Sequence, residues 1–526
     1  MPPTPSRRQF LNLVGRAGGT TAVYNTMAAM GLLPLPAAYA GPPALEPASG
    51  HGVRVVVLGA GIAGMTAAYE LSKAGYDCIV IEGRTRPGGR NWTIRGGDVV
   101  AEIDGVQTCA FDAGEHMYFN AGPARIPHHH QAILGYCREF QVPLEVMVND
   151  NRATFLQSDD AFGGKPVPLR AVMHDTRGAI AELLAKAIDS NTLVEPISAD
   201  DKQRMLAFVR GFGDLAGDNT YRGSPRAGFD EPPGAGPNSG RLREPLSFRE
   251  LLSSDFWSYK LYYSDRFEQA ATMLQPVGGM DRIARAFAAR LGSLITYGAV
   301  VKELRKTAEG VRIICHDLSG REFTVEGDYA VCTIPLQVLA TIGNDLSPQY
   351  KSAIASCDYV KAVKIAFQAN RRFWETDHQI YGGISWTSRD ITQIWYPSHG
   401  FHAPMGVLLG GYIWTNRIGE QFGRMLPQER LEAAVVSGER IHAGYRGQVC
   451  NGISVCWEKI PHSAGAWAAW SPDARSSQYP ILNEPDGPIY LAGEHLSYLN
   501  GWQEGAVLSA HAVVRAIADR VKDRRG

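Results

Sequence analysis

The run V-R-V-V-V-L (Val53 to Leu58), followed at once by G-A-G-I-A-G (Gly59 to Gly64), constrains this chain more than any other segment. The first piece is rich in β-branched residues without polar alternation, the pattern of a strand covered on both faces. The residues after the glycines, M-T-A-A-Y-E-L-S-K-A, read as a helix that Gly75 stops, and C-I-V-I-E (Cys78 to Glu82) reads as a second parallel strand. Together they make a β-α-β unit of about thirty residues. Gly59, Gly61 and Gly64 let the backbone turn tightly and approach a pyrophosphate, whose charge then faces the helix N-terminus. Glu82 lies 18 residues beyond Gly64, where an acid accepts the ribose hydroxyls of an adenosine half. The fingerprint alone does not choose between NAD and FAD.

At 526 residues the chain exceeds one small core, and two or three subdomains are expected. The formal net charge of −1 provides no global field to recruit nucleic acid or an anionic membrane. Eight cysteines are scattered singly with no C-x-x-C pair, so neither a zinc site nor a redox dithiol is indicated. The first forty residues stand apart: S-R-R-Q-F-L (Ser6 to Leu11), a weakly apolar stretch from Leu13 to Leu33, and Ala38-Tyr39-Ala40 have the layout of a twin-arginine export signal cleaved after Ala40. That reading makes the mature protein periplasmic or secreted, without a membrane anchor.

Further along, residues 128–215 carry Ala, Leu and Glu at helical spacing, whereas 222–245 are rich in Gly and Pro and read as a mobile surface loop. Gln275 to Leu291 is a turn opening an amphipathic helix, followed by strand-like runs L-I-T-Y, V-R-I-I-C and Y-A-V-C-T-I. Residues 360–415 alternate short strands and turns with many aromatics, a mixed sheet lining a pocket. His128-His129-His130 read as surface residues, because neighbours on a helix point apart.

The continuation past Glu82 narrows the choice. E-G-R-T-R-P-G-G-R (Glu82 to Arg90) resembles the second signature of the flavin amine oxidase family, and L-A-G-E-H (Leu491 to His495) is similar to that family's third FAD segment. The resemblance implies non-covalent FAD, since Ala466 stands where some relatives carry a flavin-linked cysteine. It also implies that Gly88, Gly89 and Arg90 approach the pyrophosphate and ribityl chain, Arg84 the adenosine ribose, and Glu494 the ribityl region, with Val301 in the same cofactor-binding set. The implied fold is α/β: a Rossmann-like, two-dinucleotide-binding FAD domain over 52–107, 271–350 and 481–526, a mixed-sheet substrate domain over 108–164 and 351–480, and a helical domain over 165–270, after a signal over 1–40.

Within that family the chain is most similar to bacterial L-amino acid oxidases. N-A-G-P-A-R-I-P (Asn120 to Pro127) resembles the segment bearing their carboxylate-binding arginine, which implies that role for Arg125; a guanidinium presents a planar fork that matches a carboxylate. G-V-L-L-G-G-Y resembles the strand whose tyrosine shares the carboxylate, implying Tyr412, with an ordinary core tyrosine as the alternative. N-G-W-Q-E-G-A implies that the Gly501 carbonyl accepts from the substrate amine while Trp502 faces the flavin. G-A-W-A-A-W-S-P supplies Trp467 as the opposing wall and Trp470 deeper in the side-chain pocket; core packing is the alternative for each. Lys364 matches the family lysine that holds a water against the flavin, with Lys361 as the exposed alternative. The resemblance implies an L-amino acid and O2 as small-molecule partners, no metal, and a homodimer, since relatives are often dimeric. The products would be a 2-oxo acid, ammonia and hydrogen peroxide. Monoamine or polyamine oxidation and amino-acid monooxygenation are the competing activities.

Overall fold

A computed structural model describes residues 39–190 and 198–525. The twin-arginine run and most of the proposed leader therefore lie outside the described residues, with only Tyr39 and Ala40 of its A-x-A site inside.

Strand Arg54–Leu58 sits in the middle of a five-stranded parallel sheet. Asp77–Glu82 flanks it on one side and Tyr329–Cys332 on the other, with Ile295–Tyr297 and Ile489–Leu491 at the edges. Val55, Val56, Val57 and Leu58 are fully buried, as their unbroken apolar run requires. Helix Ile62–Lys73 follows the glycine turn and ends where Gly75 takes the left-handed φ of +84°. The C-terminal helix, Gln503–Arg525, packs along it. Chain segments hundreds of residues apart thus meet at the carboxyl ends of the parallel strands, where ligands settle in open α/β sheets.

A second sheet of seven strands is mixed, with the order Val167–Pro168, Phe155–Gln157, Gly383–Thr387, Gln393–Tyr396, Gly406–Ile413, Val363–Ala369, Val449–Cys456. Gly383–Thr387 runs parallel to Phe155–Gln157; the other pairs are antiparallel. Helices Leu169–Asp189 and Ala199–Gly213 pack together around Ala181, Ala185, Ile188, Leu206 and Val209. The second of these helices begins at Ser198, whose side chain accepts from the Asp201 N–H.

The helical reading of 128–215 holds only in part. Helices Gln131–Glu139, Leu169–Asp189 and Ala199–Gly213 form, but strands Leu144–Met147, Phe155–Gln157 and Val167–Pro168 interrupt them. Each strand is too short to show a period of its own, and sheet pairing outweighs local helix propensity. Residues 222–245 contain a short hairpin: Phe229–Glu231 pairs antiparallel with Arg241–Leu242, and Arg241 bridges to Asp230 and Glu231. All eight cysteines are free thiols, and all but the half-buried Cys450 are buried. Among the described residues no helix is long and apolar enough to cross a membrane.

Candidate active site

The glycine turn is built by exclusion. A Cβ on Gly64 would lie 1.9 Å from the Gly59 carbonyl oxygen, and one on Gly59, at φ +105°, would meet Thr333 Oγ1 at 2.6 Å. Gly61 differs: a Cβ there meets nothing within 4 Å and would project into open space. That space is a cavity of about 570 Å³ lined by Gly59, Gly61, Glu82, Arg84, Gly88, Gly89, Arg90, Val301 and Glu494. No side chain caps the helix N-terminus at Gly61, which leaves it to face an anion.

Glu82 ends its strand on the cavity wall and accepts from the Ala60 N–H at 2.7 Å and the Arg84 N–H at 2.8 Å. The carboxylate therefore shapes the glycine loop directly. Arg84 donates to the Pro461 carbonyl and to Ser463 Oγ, tying the second signature to a segment nearly 380 residues later. Gly88 N–H donates to the Ala60 carbonyl at 2.7 Å, which brings the double glycine beside the fingerprint. At the far end Glu494 accepts from Arg90 Nη1 at 2.7 Å and from the Ala468 and Gly501 backbone N–H groups at 3.2 and 3.1 Å. Burial alone would push the Glu494 carboxyl up, but Arg90, His495 and the Gly501 N–H outweigh it and hold it below the usual value.

The same cavity continues past Ala121 to Arg125, Lys364, Tyr412, Trp467, Gly501 and Trp502. Every site residue singled out in the sequence, apart from the tightly packed Gly64 and Trp470, is a lining residue of this one cavity. Lys364 and Tyr412 are register partners on neighbouring strands, so their side chains stand side by side, with Nζ 4.8 Å from the phenol centroid. Lys364 is buried and donates to the Asn120 and Gly122 carbonyls, with no carboxylate partner among the described residues. Burial, and to a lesser degree Arg125, depresses its pKa to about 7. Lys361, by contrast, is ion-paired to Glu420 and Glu458 away from the cavity. Burial pushes the Tyr412 phenol up, so it is a neutral hydrogen-bond donor, with Arg125 pulling the other way. Trp467 packs on Gly501: a Cβ at Gly501, φ +78°, would lie 3.2 Å from the indole Cγ.

Arg125 is held entirely by neutral groups. Its Nη2 donates to the Tyr263 hydroxyl at 2.6 Å and to Gln269 Oε1 at 2.7 Å, and its Nε donates to the same Gln269 oxygen at 3.1 Å. The guanidinium lies over Trp395 at 4.6 Å and near Trp502 at 5.4 Å. Among the described residues no carboxylate forms an ion pair with it. Tyr263, Gln269 and Trp395 were not identified from the sequence. The signal available was the density of aromatics in W-S-Y-K-L-Y-Y-S-D-R-F-E-Q, Trp257 to Gln269.

Two sequence readings are corrected. Trp470 does not enter the side-chain pocket: its indole N–H donates to the His495 carbonyl at 2.9 Å, and its ring packs on Tyr479 beneath the parallel sheet. His129 and His130 are not independent surface residues. They lie in a turn that ends before helix Gln131–Glu139 begins, and both face Glu268, with His130 buried.

Comparison with known proteins agrees with this geometry. The family model for flavin containing amine oxidoreductases matches residues 62–518, and the chain belongs to that family. FAD is its cofactor, and the cavity offers what FAD needs: a glycine turn open at Gly61, an uncapped helix N-terminus and charged groups at both ends. The chain is 26% identical to YobN of Bacillus subtilis (strain 168), over 88% of this chain and 94% of that protein. It is 27% identical to the flavin-dependent L-tryptophan oxidase RebO of Lentzea aerocolonigenes, over 88% of this chain and 98% of the relative. In fold it is similar to cyclohexylamine oxidase from Brevibacterium oxydans IH-35A, with a TM-score of 0.59 at 16% identity over 89% of this chain and 99% of that one.

Proposed function

We propose that this flavoenzyme oxidises L-amino acids at the α-carbon, converting amino acid, O2 and water to a 2-oxo acid, ammonia and hydrogen peroxide. The observation that carries the reading is Arg125, a half-buried guanidinium on the cavity wall with neutral partners only. A cation without a counter-ion in a partly desolvated site favours an incoming carboxylate, which a simple amine lacks.

In this reading Arg125 grips the substrate carboxylate through its fork, and the Tyr412 hydroxyl donates to the same group. The Gly501 carbonyl accepts from the amine, and Trp467 and Trp502 wall it on both sides and exclude water. Holding the α-carbon at reacting distance is the main contribution of the protein. When bound, FAD supplies the acceptor for the hydride leaving that carbon. Lys364, with a pKa near neutrality, holds or releases a proton at Nζ through a bound water. Ala466 presents no nucleophile to the cavity, which supports non-covalent FAD.

Tyr263, Trp395 and Tyr412 surround the guanidinium, and Trp386 and Trp414 pack behind them through Tyr263 and Tyr259. The aromatic residues that line the cavity itself near Arg125 are Tyr412, Trp467 and Trp502, and they suit large apolar or aromatic side chains. We also infer export by the twin-arginine route, on the strength of residues 1–40. Product analysis tests the activity: a 2-oxo acid with equimolar ammonia and peroxide supports it. A decarboxylated amide would assign the chain to monooxygenation instead, and turnover restricted to amines without a carboxylate would assign it to amine oxidation.

A further inference from the structure

Beside the substrate cavity two adjacent histidines converge on one carboxylate. His130 Nε2 lies 2.8 Å and His129 Nε2 3.3 Å from the same oxygen, Oε2 of Glu268. The three donor atoms all lie within 4.8 Å of one another, the one such group of His, Cys, Asp or Glu side chains among the described residues. Their neighbours fix the rings: Phe267 lies against His129 at 4.1 Å and Trp502 meets His130 edge-on at 5.1 Å. His129 Nδ1 is buried without a partner, so only its Nε2, the nitrogen facing Glu268, is engaged.

We propose that His129, His130 and Glu268 bind one divalent transition-metal ion of the zinc class. Two imidazoles and one carboxylate are the protein ligand set of an open zinc site, with water in the fourth position. Imidazole donors favour Zn2+, Ni2+ or Cu2+; Mg2+ and Ca2+ take oxygen ligands. Metal–ligand bonds of about 2.0–2.2 Å at tetrahedral angles separate donors by roughly 3.3–3.5 Å. The His129–Glu268 pair already has that spacing at 3.3 Å; a shared ion requires His130 to retreat from Glu268 by about half an ångström and the two imidazole nitrogens, now within 4.8 Å, to settle at the same separation. The site adjoins the substrate pocket through Gln269, which follows Glu268 and accepts from Arg125. It does not depend on which amine is oxidised.

Calorimetric titration of the EDTA-stripped, FAD-loaded full chain with ZnCl2 tests the assignment. One Zn2+ per chain is expected, with no heat from CaCl2. Loss of even an outer-shell partner weakens metal binding about tenfold or more, so His129→Ala and Glu268→Gln should each exceed that loss. His129→Ala should keep the wild-type flavin spectrum and turnover. Absence of zinc uptake by the wild type, equal uptake of Ca2+, or uptake unchanged in both variants would overturn the proposal.

Discussion

Replacing Arg125 by methionine keeps an apolar stem between Trp395 and Trp502 while removing the guanidinium. Its hydrogen bonds go to Tyr263 and Gln269, both neutral, so the variant strands no protein charge, and the melting temperature should stay near that of the wild type. The loss falls on the substrate. Breaking a buried charge pair costs about 3–5 kcal/mol, which at about 1.4 kcal/mol per decade is roughly two to four decades in kcat/KM. Steady-state kinetics on a matched pair, an L-amino acid and the amine left by its decarboxylation, separates this from general damage. The amino acid should lose those decades while the amine changes little. Arg125→Lys should fall between, since a point charge cannot form the fork. If Arg125→Met retains kcat/KM for the amino acid within about threefold, or loses both substrates equally, the carboxylate clamp is misassigned.

Other sites give independent checks. Lys364 has a folded pKa of about 7 against an ordinary 10.5, so between those values the unfolded chain binds the extra proton and stability rises with pH. The stability of the wild type relative to Lys364→Met should therefore climb by about 1.4 kcal/mol per pH unit above neutrality; a flat difference in denaturant titrations speaks against the depressed lysine. Gly61→Ala should fold normally yet load FAD poorly, because its Cβ projects into the cavity, whereas Gly64→Ala should disrupt the loop itself by meeting the Gly59 carbonyl; equal flavin retention in the two would contradict that contrast. Glu494→Gln leaves the Arg90 guanidinium facing a neutral amide in place of the carboxylate at 2.7 Å and should cost up to about 3–5 kcal/mol of holoenzyme stability. Because the Glu494 carboxyl is held below its usual value, this stabilisation is present at neutral pH and lost as pH falls through the depressed value, and a variant with wild-type acid resistance counts against it.

The cofactor half of the site was legible because its signals are local. A buried strand, a glycine turn and a helix are adjacent in sequence, and the glycine spacing has local causes: a Cβ on Gly64 would meet the Gly59 carbonyl at 1.9 Å, one on Gly59 the Thr333 hydroxyl at 2.6 Å, and one on Gly61 would enter the cavity. The second and third signatures carried the FAD reading by resemblance, and the family match agrees. The partners of Arg125 were hidden for a physical reason. Tyr263 and Gln269 lie 138 and 144 residues downstream in short turns, where no period marks which side chain faces a cavity. The histidines misled because a helix was assumed one turn too early: adjacent residues diverge on a helix but converge in the turn before Gln131. The resemblance of G-A-W-A-A-W-S-P implies the pocket for both tryptophans, yet they flank the two-residue strand Ala468–Ala469 and only Trp467 lines the cavity.

Anaerobic mixing of the yellow wild-type enzyme with L-amino acids, their D-enantiomers and the corresponding decarboxylated amines interrogates the guanidinium most directly. Loss of the flavin absorbance band should be fast with L-amino acids, most of all those with large apolar side chains, and slow with both other groups. Bleaching by the amines as fast as by their parent L-amino acids would contradict the assignment of Arg125 as the group that selects the substrate.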